Sequence, residues 1–174
     1  MTDLIELLKK PKQWVALCQQ HLTELGYTEP YDYDRFINEE LGELVGNLKS
    51  GKTPANRALL VDDIVDSMWV LLARTRTVSL PLEKTSETIK IRDWLGIFNQ
   101  MSTDSTRAGL LIDLALLNNI DWQAAFSALV AENYSKLDFP IERRAEIFRT
   151  GKIQKRDLDG SYYPWFKSAD FSVF

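Results

Sequence analysis

Apolar residues recur at three- and four-residue intervals along most of this chain, and no stretch alternates apolar and polar positions as a half-buried strand would. The pattern predicts an all-α protein. Residues 2–9 read as a short amphipathic helix ended by Pro11, and residues 11–25 as a second one, with Pro11 in its first turn and Gly26 closing it. The tyrosine-rich stretch 27–34 (YTEPYDYD) reads as a connection. A helix is expected over 34–49, with Asp34 as N-cap and Gly51 as terminator, and another over 56–76. Residues 79–87 read as a loop, and helices follow over 88–101, 105–118 and 121–136, the last with Asp121 as N-cap. From Gly151 the chain reads as irregular, first basic and then aromatic. The expected layout is one domain over 1–155 and a C-terminal tail over 156–174.

The 56–76 segment, NRALLVDDIVDSMWVLLARTR, is apolar nearly all round, which marks a buried helix. Asp62, Asp63 and Asp66 nevertheless fall within about 100° of one another on its wheel. A buried, unpaired carboxylate costs several kcal/mol or shifts its pKa. Like charges about 5 Å apart add on the order of 3 kcal/mol of repulsion at an effective dielectric near 20. A bound cation reverses both penalties.

A second acidic cluster precedes it. The 34–49 helix carries an apolar stripe at Ile37, Leu41, Leu44, Val45 and Leu48, which Glu40 borders, while Glu39 and Glu43 lie further round beside Phe36. Gly42 and Gly46 each cost roughly 1 kcal/mol against alanine inside a helix. They are expected to admit a neighbouring helix or a ligand. Nineteen residues lie between Glu43 and Asp63, enough to end one helix, turn and return along the next. The i,i+3 pairs Glu40/Glu43 and Asp63/Asp66 can therefore face each other across a helical hairpin as a cage for a hard divalent cation.

The ligand chemistry narrows the ion. His21 and Cys18 are the single histidine and the single cysteine, so a His/Cys zinc site is not available. Oxygen-only ligation points to magnesium, with manganese as the alternative, and magnesium is commonly bound by carboxylates together with substrate phosphates. Cations are present to meet such phosphates. Asn133 and Lys136 share a helix face at i,i+3, and Lys152, Lys155 and Arg156 cluster after Gly151. The five tryptophans are expected to be mostly core, with an aromatic left to stack on a nucleobase.

Length and composition fit this picture. The chain has 174 residues, 45% hydrophobic and 26% charged, with a net charge of −4. That suits one domain with a real core and supplies no basic field for broad nucleic-acid binding. No run approaches the roughly 18 apolar residues of a membrane span. A chain that opens amphipathic and charged, without a signal peptide, and holds one small apolar cysteine is expected in a reducing cytoplasm.

On these residues the chain resembles the all-α nucleoside triphosphate pyrophosphohydrolases of the MazG-like group. Their signature is EExxE followed, a dozen to nearly thirty residues on, by ExxD. The first half is Glu39-Glu40-x-x-Glu43, and the second is Asp63-Ile64-Val65-Asp66, with aspartate in place of the usual first glutamate. ALVAENYSKLD at 128–138 and GKIQK at 151–155 look like the family's Asn-x-x-Lys helix and lysine-bearing tail. The resemblance covers about 34–76 and 120–155. It implies a four-helix-type bundle with extra helices, assembled as a homodimer or homotetramer. It further implies magnesium held by Glu40, Glu43, Asp63 and Asp66, with Asp62 able to share the shortened ligand position. Glu39 would position or activate water, and Asn133, Lys136 and Lys155 would contact the ribose or phosphates of a nucleoside triphosphate. The implied reaction is hydrolysis between the α and β phosphates, with deoxynucleotides preferred.

Two rivals remain. Asp62-Asp63-x-x-Asp66 also spells the DDxxD motif of isoprenoid diphosphate synthases, but residues 67–174 hold no second such motif. A helical metal-binding or interaction protein without turnover would carry the same cage, and arginine partners could instead neutralise the aspartates.

Overall fold

A computed structural model describes residues 2–31, 33–50, 56–75 and 104–174. It is all-α, and among the described residues the sole β-type pairing is an isolated antiparallel bridge between Arg156 and Tyr162. The longer helices are α1 (Thr2–Glu24), α2 (Tyr33–Ser50), α3 (Arg57–Arg74), α4 (Asp104–Leu117) and α5 (Trp122–Ser135). A 3-10 turn (Ile141–Arg143) leads into the short α6 (Arg144–Ile147), and a second 3-10 turn covers Phe171–Val173. The expected loop 79–87, the helix over 88–101, Trp94 and the Gly51 terminator lie outside the described residues.

The central element is α3, which packs against α1, α2, α4, α5 and the C-terminal 3-10 turn. Leu60, Val61, Ile64, Val65, Met68 and Leu71 are all buried, as the all-round apolar pattern predicts. Burying each such side chain contributes roughly 1.5–3 kcal/mol. The helix is also well closed at both ends. The Asn56 side chain accepts the Leu59 N–H, and Thr75 Oγ1 donates to the Leu71 carbonyl. Because neighbours within one chain cover α3, its apolar circumference does not by itself call for a second copy.

Three expectations need correction. Pro11 does not divide two helices; it lies inside the continuous α1. Leu8, Pro11, Trp14, Cys18 and Leu22 are buried at three- and four-residue spacing, so one apolar stripe spans the proline. Packing of that stripe on α3 and α5 outweighs the roughly 3 kcal/mol a helix-interior proline costs. Asp34 is not the N-cap of α2, which starts at Tyr33 and places Asp34 in its first turn. The close approach expected at Gly42 and Gly46 is not seen among the described residues, where a Cβ at either would meet nothing within 4 Å.

The other tryptophans behave as expected of core residues. Trp14, Trp69 and Trp122 are buried, and Trp165 packs partly buried against the core. Asp121 caps α5 by accepting the Ala124 N–H at 3.1 Å.

The C-terminal segment is irregular but firmly docked. Tyr163 and Phe171 enter the core. Ser135 Oγ accepts the Lys167 N–H at 3.0 Å, and the Glu132 carboxylate accepts the Ala169 N–H at 2.9 Å. The Arg57 guanidinium then donates to the main-chain oxygens of Phe174, Asn118 and Asn119. Residues 167–174 thus run back along α5 to the α4–α5 turn.

Candidate functional site

Helices α1, α2, α3 and α5 and residues 152–155 line a cavity of about 310 Å³. Glu40 reaches it from α2 and Asp66 from α3. Glu132, Asn133 and Lys136 reach it from α5, and Lys152 and Lys155 from the turn after Gly151. That turn depends on glycine, because Gly151 has φ +74°, where a side chain would be strained. Trp14, Tyr31, Phe36 and Trp69 form an aromatic wall.

The expected site residues divide accordingly. Glu40, Asp66, Asn133, Lys136 and Lys155 share the cavity. Glu39 and Glu43 are exposed on α2 beside it, and neither lines it. Asp63 is buried but points to a different partner, for Asn47 donates its side-chain amide to both carboxylate oxygens at 3.2 and 3.0 Å. Among the described residues, no three Asp, Glu, His or Cys side chains are gathered closely enough to form a ready-made metal group.

The carboxylates nevertheless act on one another. Burial, then Glu43, Glu39 and Asp62, push the Glu40 carboxyl up to about 7. Burial, then Glu132 and Asp63, push Asp62 up to about 6, against the pull of Lys155. Asp66 is raised well above the usual carboxylate range, by burial first and then by Glu40 and Asp62, with Lys136 opposing. Asp63 is raised by burial, and its hydrogen bond from Asn47 works the other way. Three helices thus bring one self-repelling acidic face together.

A cationic edge faces it. The Lys136 Nζ donates to Asn133 Oδ1 at 2.6 Å and lies 3.8 Å from Glu132 Oε1. Burial lowers its pKa, while Glu132 and Asp66 favour its charged form. The Trp14 Nε1–H donates to the Asn133 carbonyl at 2.8 Å, which ties α1 to the same turn of α5. The expected i,i+3 pairing of Asn133 and Lys136 is therefore a direct hydrogen bond.

Sequence reasoning missed Glu132 and Asn47 as members of this region, whereas Lys152 was already placed in the basic cluster after Gly151. Signals were present for both missed residues. Glu132 and Lys136 stand at i,i+4, and Asn47 follows Glu40 and Glu43 at the i,i+3,i+7 spacing of one helix face. The arrangement can hold a hard cation among carboxylate oxygens and meet the phosphates of the same ligand with ammonium groups. Cys18, in contrast, is buried with its thiol pKa raised by desolvation, which suits an inert core residue.

Comparison with family models, with curated proteins and with solved structures finds no match for this chain.

Proposed function

We propose that the chain is a magnesium-dependent nucleoside triphosphate pyrophosphohydrolase with a four-helix-type bundle. Its reaction would be hydrolysis of a nucleoside triphosphate, preferentially a deoxynucleotide, between the α and β phosphates. The observation that carries the reading is the opposition, in one cavity, of Glu40 and Asp66 to Lys136, Lys152 and Lys155. A purely anionic or purely cationic pocket would suit either a metal or a phosphate; this one suits both together.

The donor set fits a hard divalent ion. Glu40, Asp66 and the flanking Glu43 and Asp63 offer only oxygens; burial first and neighbouring carboxylates second raise the pKa values of Glu40, Asp63 and Asp66, and a cation would offset both. Magnesium, or manganese in its place, would neutralise phosphate charge and lower the pKa of a bound water when present. Asp62 is the natural substitute should Asp63 stay with Asn47.

The chain's own groups account for the remaining steps. Glu39 orients a water or accepts its proton as the water oxygen bonds to the α phosphorus. The bond from that phosphorus to the bridging oxygen breaks, and pyrophosphate leaves with the bond's electron pair. Lys136 and Lys155 offset the charge that builds on it, and Asn133 keeps Lys136 aimed into the cavity.

One observation favours a non-catalytic reading, in which the acidic face is a structural network. Lys136 already offsets Asp66 from within the cavity. Turnover on a panel of ribo- and deoxynucleoside triphosphates, with product analysis, separates the two. Monophosphate and pyrophosphate are expected. Diphosphate and orthophosphate would sink the mechanism, and an inert protein would favour the structural network.

The resemblance also proposes a homodimer or homotetramer working in the cytoplasm. Light scattering that gives a 20.0 kDa particle would refute the assembly. No helix among the described residues is long and apolar enough to cross a membrane.

A further inference from the structure

We infer that Phe166, in the C-terminal segment, is a positioning residue that aims two of the cavity's lysines at a polyphosphate. The inference rests on the proposed reading of the cavity. The Lys136 and Lys155 ammonium groups each lie 5.9 Å from the centroid of the Phe166 ring. Tyr162 stacks on the same ring at 5.0 Å and 24°, and the Arg156 guanidinium covers Tyr162 at 3.6 Å. Tyr162 and both lysines thus meet at the Phe166 ring, and both lysines line the cavity.

The chemistry of such a hold is specific. The face of an aromatic ring attracts an ammonium group within about 6 Å without cancelling its charge. A carboxylate partner would hold a lysine as well but would neutralise the charge a phosphate needs. Lys136 has two further holds, the Asn133 side chain at 2.6 Å and the Glu132 carboxylate at 3.8 Å. Lys155 is exposed and forms no ion pair among the described residues, so its direction depends more on the ring. Two ammonium groups brought to one ring also stay near each other against their mutual repulsion. Ordering both before the ligand arrives removes part of the rotamer entropy that binding would otherwise cost.

The ring is itself well placed to survive substitution studies. The backbone just beyond it is tied to Ser135 and Glu132, and Arg57 holds the segment's far end. A change at Phe166 should therefore leave the segment docked.

The test is calorimetric titration of inorganic triphosphate, with magnesium, into the whole chain and its variants. Phe166→Leu should weaken binding roughly 3- to 10-fold. Phe166→Trp, which keeps a ring, should bind within about twofold of the parent. In a Lys155→Met background, Phe166→Leu should have a smaller further effect, because only Lys136, which Asn133 also holds, is left for the ring to aim. Parent-like binding by Phe166→Leu, or additive losses in the double variant, would overturn the inference while leaving the polyphosphate reading intact. Failure of the unsubstituted chain to bind triphosphate would overturn both. Thermal melting checks that Phe166→Leu is folded; if it is not, the Phe166→Trp arm decides, and weakened binding there counts against the inference.

Discussion

Asn47 on α2 holds Asp63 on α3 through both carboxylate oxygens, at 3.2 and 3.0 Å. The contact pins the two acidic helices together and offsets part of the burial that raises the Asp63 pKa. It also turns Asp63 away from the cavity that Asp66, one turn further on, lines.

Asn47→Ala should therefore destabilise the protein. It leaves a buried carboxylate without its donor, at a cost of about 1–3 kcal/mol. Alanine's better helix propensity returns at most about 0.7 kcal/mol. Urea denaturation at pH 7.5 in EDTA measures the difference. The loss should shrink at pH 5, where Asp63 protonates more readily in the folded chain than in the unfolded one. An unchanged midpoint at pH 7.5 would show that the amide contributes nothing to holding the hairpin.

The metal-free protein should become more stable as pH falls from 8 to about 5.5. A carboxyl whose folded-state pKa lies above its unfolded value binds more protons when folded, so stability drops as pH rises through that interval. For Glu40 the interval runs from 4.5 to about 7, and for Asp62 from 3.8 to about 6. Asp63 and Asp66 shift in the same direction. His21 opposes them, because burial lowers its pKa below 6.5 and the unfolded chain then takes up the proton first. Exposed carboxyls with lowered values, such as Glu146 and Asp170, lose their contribution only as pH falls below about 4.5. Four raised carboxyls outweigh one imidazole, so the net change as pH falls over this interval is a gain in stability. Equal stability at the two pH values in EDTA would contradict the self-repelling face.

Gly42→Ala and Gly46→Ala should each stabilise the chain by about 0.5–1 kcal/mol. Both positions are exposed, and among the described residues an added methyl meets nothing within 4 Å. Chemical denaturation of each variant checks the gain. Destabilisation, or loss of magnesium-dependent stabilisation, would show that something packs on that face after all.

Much of the scaffold was legible because local signals and packing agree. The all-round apolar pattern of 56–76 marked the central helix, and Asp121 caps α5 where its side chain can reach a free N–H group. Pro11 misled because a local breaker was overruled by a stripe of buried residues on either side of it. The acidic pairing of α2 and α3 was visible as spacing, but the choice between Asp62 and Asp63 was not. That choice depends on Asn47, a neutral side chain from the other helix. The place of Phe166 beside Lys136 and Lys155 was hidden for a related reason. It depends on where the C-terminal segment docks, and an irregular stretch carries no periodicity from which to read its path.

Asp66→Asn provides the most direct test of the proposed metal. The substitution keeps the shape of a carboxylate that lines the cavity and removes its charge. In EDTA the variant should be at least as stable as the parent, because it relieves repulsion with Glu40 and Asp62. Magnesium at one hundred times its dissociation constant should stabilise the parent by about 2.7 kcal/mol, which raises its melting temperature by roughly 5–10 °C. The variant should show little of that rise and should lose pyrophosphate release. Glu40→Gln should behave alike, since both side chains line the same cavity. Full magnesium stabilisation in both variants would place the ion elsewhere. A parent that melts at the same temperature in EDTA and in magnesium would leave Lys136 as the group that balances Asp66, and the acidic face as a structural network.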